Sequence, residues 1–242
     1  MKNAKRTLTI GETAVLLGVS IDTLRNWDAS GKLRAKRSEG GHRYYDREML
    51  ALFQKDLFAL AHVWAESAVA PELSSEEYCE TQDRFWSRQN VLALLLDQDG
   101  ATHDLAPLLA SIIGEIGNNS FDHNIGNWPD TPGIFFSYDL NKRIIVLADR
   151  GRGVRTTLSR VRPDIKSDIE ALTIAMTERV SGRAPEQRGN GLKFVRNVAT
   201  ENPINVSLQS GTAIAEITER RKKLSITLAE RNVRGTVTRI TY

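Results

Sequence analysis

Glu115 and Asn119 stand four residues apart in the run Ser111-Ile-Ile-Gly-Glu-Ile-Gly-Asn-Asn-Ser-Phe-Asp-His123. On a helix that spacing places both side chains on one face, one turn apart. A carboxylate there can act as a base toward water, and an amide oxygen can ligate a hard cation such as magnesium. Farther along, Asp149-Arg-Gly-Arg-Gly153 follows a strand-like run, and Arg188-Gly-Asn-Gly-Leu192 opens a further helix. A carboxylate at a strand end can accept the amino proton of adenine, where guanine presents an oxygen, and Gly151 and Gly153 let backbone approach a flat ring. The free amides at the helix start formed by Gly189, Asn190, Gly191 and Leu192 suit phosphate. In this order the three stretches point to bound ATP with magnesium held through Asn119.

The elements that would position these residues are legible. Leu105, Leu108, Leu109, Ile112, Ile113 and Ile116 recur at helical spacing, while Glu115, Asn119 and Asp122 fall on a second stripe at the rim of the apolar face. Residues 133–137 and 143–148 read as paired strands joined at 139–142, which leaves Asp149 at a strand end. The arginine-rich stretch 154–187, with a helical patch at 168–178, would form a lid. Strand-like runs at 204–209, 212–217, 224–228 and 235–241 complete a largely antiparallel sheet.

The region from about 100 to 242 resembles the GHKL superfamily of histidine kinases, gyrases, MutL proteins and heat-shock chaperones. The resemblance implies the Bergerat fold, a two-layer α/β sandwich. It assigns Glu115, as catalytic base, and Asn119 to the first box, Asp149, Gly151 and Gly153 to the first glycine box, and Gly189 and Gly191 to the second. It also places Thr236, in a late Gly-Thr pair, near adenine. Two departures stand out. Lys193 occupies a position where kinases carry glycine, and the chain ends at Tyr242 without the domain whose lysine reaches the terminal phosphate in gyrase-like enzymes. Hydrolysis, if any, is therefore expected to be slow. His103 heads a run like the phosphoacceptor box of sensor kinases, but it lies 12 residues before Glu115, too close for a dimerisation hairpin. It reads instead as the start of a helix capped by Asp104.

The first 55 residues carry 11 Lys/Arg against 6 Asp/Glu, whereas the chain as a whole is only +3, so a basic surplus sits at the N-terminus and suits a polyanion. A short helix over 12–17 is followed by Gly18-Val19-Ser20, in which Gly18 turns the chain and Ser20 can cap the helix over 21–29. A basic hairpin over 32–45 comes next, with its tip at 38–41. Gly18-Val-Ser20, Thr23-Leu-Arg25, Trp27, Gly31-Lys-Leu33 and Gly40-Gly-His-Arg-Tyr-Tyr45 closely resemble the MerR-like winged helix-turn-helix family. The resemblance implies double-stranded DNA as partner, with Ser20, Thr23 and Arg25 on the reading helix and His42, Arg43 and Tyr45 on the wing.

The expected architecture is therefore α+β: a winged helix-turn-helix with its following helix over 1–70, a connector over 71–100, and an ATP-binding domain over 101–242. One helix is expected over 47–68, and its apolar stripe either pairs two chains into a homodimer or packs on its own protein. The single cysteine, Cys79, excludes an internal disulfide, and no apolar run reaches membrane-spanning length, so a cytoplasmic protein is expected. Three functions fit these residues. The first is a transcription regulator whose DNA or partner binding responds to Mg-ATP. The second is a DNA-targeted protein kinase or slow ATPase, and the third is a DNA-bound module that blocks a protein partner as anti-sigma or antitoxin proteins do.

Overall fold

The computed structural model describes residues 7–30, 33–54, 56–178, 191–218 and 223–242. They divide into two units, one reaching to Asp56 and including the Asp139–Arg143 turn, the other formed by Leu57–Tyr138 and Ile144–Tyr242. The fold is mixed α+β, with a helix-turn-helix at the N-terminus and an antiparallel sheet in the C-terminal part.

In the first unit, β1 (Thr7–Thr9) leads into α1 (Ile10–Leu17), followed by α2 (Ile21–Ser30), β2 (Lys36–Arg37), β3 (Arg43–Asp46) and α3 (Arg47–Gln54). Thr9 and Glu12 form a reciprocal capping box at the start of α1: the Glu12 amide donates to Thr9 Oγ1 at 3.3 Å and the Thr9 amide to Glu12 Oε2 at 2.7 Å. Gly18 ends α1 in the left-handed region at φ 66°, a conformation that L side chains adopt only with strain. The three short strands run antiparallel in the order β1-β3-β2. Leu8, Ala14, Leu24, Leu33, Tyr45 and Leu50 make the core.

The single helix expected over 47–68 is two helices, α3 and α4 (Leu57–Glu66). Each apolar stripe serves a different core. Leu50 is buried in the first unit, whereas Leu57, Ala61, Trp64 and Ala65 pack on Phe135, Val146, Ala148, Val233 and Val237 of the large sheet. Of the two roles open to this stripe, packing on its own protein is the one observed for α4. Burying each of its large side chains contributes about 1.5–3 kcal/mol.

The sheet of the second unit runs β4 (Tyr78–Cys79), β5 (Ile134–Asp139), β6 (Ile144–Asp149), β8 (Leu224–Thr241), β7 (Asn205–Ile217). The four short C-terminal strands read from sequence are two long ones. Gly211 and Gly235 mark irregularities within β7 and β8 rather than strand ends, and the pairing register shifts between Ser210 and Ala213. Alternation along β6 sorts its side chains by face. Ile145 and Leu147 join the core under α5 (Gln82–Gln98), α6 (Ala106–Asn124) and α9 (Gly191–Glu201), while Val146 and Ala148 meet α4. Helices therefore cover both faces of the sheet, and α4 adds a layer to the two expected. The 71–100 stretch likewise contributes α5, whose Phe85, Leu92 and Leu96 are buried in the main core.

α7 (Gly153–Leu158) and α8 (Asp168–Thr177) occupy the first part of the expected lid and pack on each other through Leu158, Ile165, Ala171 and Ile174. Asp104 does not cap α6. A 3₁₀ turn over His103–Leu105 precedes the helix, and Pro107, which needs no amide partner, occupies its first turn. The His103 Nδ1–H donates to the Asp97 carbonyl, 3.0 Å away, and His103 pairs with the Asp97 carboxylate. Among the described residues no helix is long and apolar enough to cross a membrane.

Candidate functional site

In the helix-turn-helix, Ser20 caps α2: its Oγ accepts the Thr23 amide at 3.0 Å and lies 2.8 Å from Thr23 Oγ1. Leu24 points inward and is fully buried, which turns Arg25 outward, where its guanidinium donates to Asp22 at 2.8 Å. Arg25 thus stands exposed on the helix expected to read DNA, paired with an exposed carboxylate one turn away.

The wing departs from expectation in two ways. Tyr45 is a core residue with no exposed surface, because the period-two alternation of β3 turns it inward beside Leu24 and Leu33, so it cannot touch DNA. Arg43 is half-buried, and its Nε donates to Asp28 Oδ2 at 2.7 Å. Asp28 also accepts from Arg37 at 3.1 Å and from the Ala35 amide at 3.0 Å. The Arg43 hydrogen bond, followed by that of the Ala35 amide, holds the Asp28 carboxyl below the usual carboxylate range. Asp28, which the sequence reading left out, is the residue that joins α2 to the wing. Its signal was an acid near a helix C-terminus, where the dipole disfavours it, followed by a basic hairpin. His42 is exposed at the wing.

In the second unit, the residues of the expected pocket gather around the end of β6. Asp149 is 2% exposed and lies in register with Thr236 of β8. Its Oδ2 accepts from Thr236 Oγ1 at 2.6 Å and from Ser120 Oγ of α6 at 2.9 Å, and its Oδ1 accepts the Gly151 amide at 2.8 Å. Burial pushes the Asp149 carboxyl above the ordinary carboxylate range, against the opposing pull of Thr236, Gly151 and Ser120. Gly235, at φ 62°, leaves room over this carboxylate, since a Cβ at that position would overlap Asp149 Oδ1.

Glu115 and Asn119 lie one turn apart on α6, and both meet the start of α9. A Cβ added to Gly191 would lie 2.5 Å from Glu115 Oε2 and 3.2 Å from Asn119 Nδ2. The structure therefore brings Glu115, Asn119 and Gly191 together, and it joins Gly151 and Thr236 through the Asp149 carboxylate, which Ser120, the residue after Asn119, ties to α6. Leu192 packs beside α8 and β7, and Asp122 is half-buried on α6. Gly153 sits beside Ser210, whose Oγ accepts the Val154 amide at 2.9 Å. Gly189 and Asn190 lie outside the described residues.

Ser120 and Asn124 went unnoticed in the sequence. Asn124 Oδ1 accepts the Arg152 amide at 3.0 Å and its Nδ2 donates to the Ser120 carbonyl at 2.7 Å, so it pins the 150–153 loop to α6. Their i, i+4 spacing continues the buried stripe of Ile113 and Ile116, and polar residues on that stripe were the available clue. Arg150 was also missed. It is fully buried, donating to the carbonyls of Trp64 and Ser67 at the end of α4 and to Asp130 at 3.0 Å. A cleft of about 510 Å³ opens beside the same loop, lined by Arg152, Arg155, Ser210, Arg234 and Gly235 among others; Glu115, Asn119 and Asp149 do not line it.

The MerR family regulatory protein model matches residues 9–45, the span of the capped helix pair and its wing. Residues 9–45 form a MerR-family helix-turn-helix DNA-binding domain. The chain is similar to the Type II methyltransferase M.Eco47II of Escherichia coli, 38% identical over 63 residues, which cover 26% of this chain and 15% of that protein. It is also similar to Nodulation protein NolA of Bradyrhizobium diazoefficiens, 49% identical over 45 residues, which cover 18% of this chain and 19% of that relative. The chain thus spans less than a fifth of each relative it matches. Arg25 lies exposed within this domain.

Proposed function

We propose that this protein is a transcription regulator whose MerR-type domain binds duplex DNA and whose 57–242 unit binds Mg-ATP in a pocket of the GHKL, Bergerat type. The observation that carries the nucleotide reading is the Asp149 carboxylate, buried at a strand end and held from three elements by Ser120, Gly151 and Thr236. A buried carboxylate is costly to ionise, and a fold that keeps one at a glycine-lined strand end fits a partner with a hydrogen to donate.

The residues fit magnesium as well. Among the described residues no cluster of three His, Cys, Asp or Glu could hold a metal ion. Magnesium that arrives with phosphates needs only one or two protein oxygens, and the Asn119 amide oxygen can supply one beside Gly191. When bound, Mg-ATP supplies a polarised terminal phosphate. Glu115 then stands on the same helix face as Asn119, where its carboxylate can orient a water.

A titration of labelled duplex DNA with the intact protein, with and without Mg-ATP, tests this reading. Site selection from random duplexes should enrich a sequence, and Mg-ATP should shift affinity for that sequence in wild type but not in Asp149→Ala. Linkage makes the shift reciprocal, with factors of about 5–150 usual for allosteric coupling. Failure to enrich any sequence would remove the specific-reader part. Identical affinities with and without saturating Mg-ATP would remove the coupling.

A further inference from the structure

α7 carries two unlike faces. Val154 and Leu158 pack against α8, and Thr157 between them is buried. Arg152, Arg155, Thr156 and Ser159 stand at i, i+3, i+4 and i+7, the spacing of a single helix face, and all four line the cleft of about 510 Å³ beside the 150–153 loop. Arg234 lines the same cleft from β8 and Asp168 from the start of α8. A row of hydrogen-bond donors thus faces a cavity.

The charges there are poorly compensated. Arg155 is exposed and has no carboxylate partner among the described residues. Arg152 donates to the Asn127 carbonyl at 3.2 Å and to the Asn127 side-chain oxygen at 2.9 Å, so its partners are neutral. Arg234 comes within 3.5 Å of Asp130, but that carboxylate is held more closely by the buried Arg150. Against these cations the lining sets Asp168, whose Oδ2 already accepts the Thr212 amide at 2.9 Å and hydroxyl at 2.8 Å. A cleft lined mainly by one sign of charge focuses its field on a ligand of the opposite sign.

The shape and chemistry of the cleft narrow the ligand. Its volume lies within the about 300–1,000 Å³ of small-molecule sites, so the anionic group is one end of a larger molecule. Arginine forks match phosphate oxygens, and a phosphate ester carries about −1.5 to −2 charge at neutral pH, which suits several arginines facing one carboxylate. Thr156, Ser159, Asp168 and Asn232 pair with hydroxyl groups rather than with hydrocarbon.

We propose that this cleft is a second ligand site, which takes a small hydroxyl-bearing phosphate ester and holds its phosphate through Arg152, Arg155 and Arg234. It is separate from the expected nucleotide pocket, since Glu115, Asn119 and Asp149 do not line it, and it does not depend on nucleotide binding.

Calorimetric titration of the intact chain at fixed ionic strength, with glycerol phosphate, ribose-5-phosphate and inorganic phosphate, tests the site. At least one ester should bind, more tightly than inorganic phosphate, and ribose without phosphate should not. Arg155→Gln and Arg234→Gln should each weaken the ester at least about tenfold, the loss of one charge-assisted hydrogen bond, with melting temperature unchanged because both side chains reach solvent. Arg155→Lys, which keeps charge but not the fork, should weaken it less. Arg160→Gln, exposed just beyond α7 and outside the cleft, should leave it unchanged. Failure of both esters to bind, full affinity in Arg155→Gln, equal loss in Arg160→Gln, or displacement of the ester by Mg-ATP or by a scrambled duplex would each overturn the proposal.

Discussion

The Asp149 carboxylate and the Thr236 hydroxyl lie 2.6 Å apart, bridging the ends of two paired strands. Ser120 completes the grip from α6. Both hydroxyls can donate or accept, so Asp149→Asn keeps the arrangement: the new amide can donate to Ser120 and Thr236 while its oxygen still accepts the Gly151 amide. Burial raises the folded-state pKa of Asp149, so between the unfolded carboxylate value and the raised one the folded protein binds a proton that the unfolded chain has lost. Wild-type stability therefore falls as pH rises from the unfolded carboxylate value through the raised one. Melting curves should show Asp149→Asn at least as stable as wild type at pH 8, with the gap closing toward pH 4. A gap that widens in acid would show that the carboxylate is not destabilised by burial.

Asp28 works in the opposite direction. Its pKa is depressed by Arg43 and the Ala35 amide, so its contribution is present above the ordinary carboxylate range and is lost as pH falls through the depressed value. Asp28→Ala should loosen the wing and free Arg37 and Arg43. Duplex affinity should then change for all sequences together while preference among them is kept, because phosphate contacts position the domain and base contacts specify. Arg25→Ala should instead relax preference, costing about 1–3 kcal/mol if a two-point base contact is lost. Binding curves on selected and scrambled duplexes separate the two effects, and equal loss of preference in both variants would contradict the division of labour.

Arg150 ties the end of α4 to the loop that follows β6. Arg150→Ala removes its hydrogen bonds to the Trp64 and Ser67 carbonyls and leaves Asp130 without its main cation. The cost should be about 3 kcal/mol, since buried acceptors lose their donor at about 1–3 kcal/mol each. Urea denaturation measures it. A loss below about 1 kcal/mol would show that water replaces the guanidinium at no penalty.

Glu115→Gln preserves shape but removes the candidate base. It should retain ATP affinity and lose whatever slow turnover the wild type has. Unchanged phosphate release by the variant would place the base elsewhere.

Much of this was legible in the sequence because local rules and tertiary needs agreed. The Gly18 turn, the Ser20 cap and the inward Leu24 follow from residue type and spacing, as do the apolar stripe of α6 and the strand leading to Asp149. Tyr45 misled because β3 is only four residues long, and the face chosen by its alternation depends on which strand residue meets α2. The role of α4 was hidden for a different reason: a stripe of Leu57, Ala61 and Trp64 says that a face will be buried but not against what. Asp28, Ser120, Asn124 and Arg150 are common polar types whose partners lie 15 to 86 residues away. Local pattern can flag such residues but does not name these distant partners.

The nucleotide pocket is the central claim, and calorimetric titration of Mg-ATP into the intact protein tests it most directly. Wild type should bind ATP in preference to GTP, and Asp149→Ala should weaken ATP by about 1.5–3 kcal/mol, roughly tenfold or more. No heat of ATP binding to a folded wild-type protein, or equal affinity in Asp149→Ala, would contradict it.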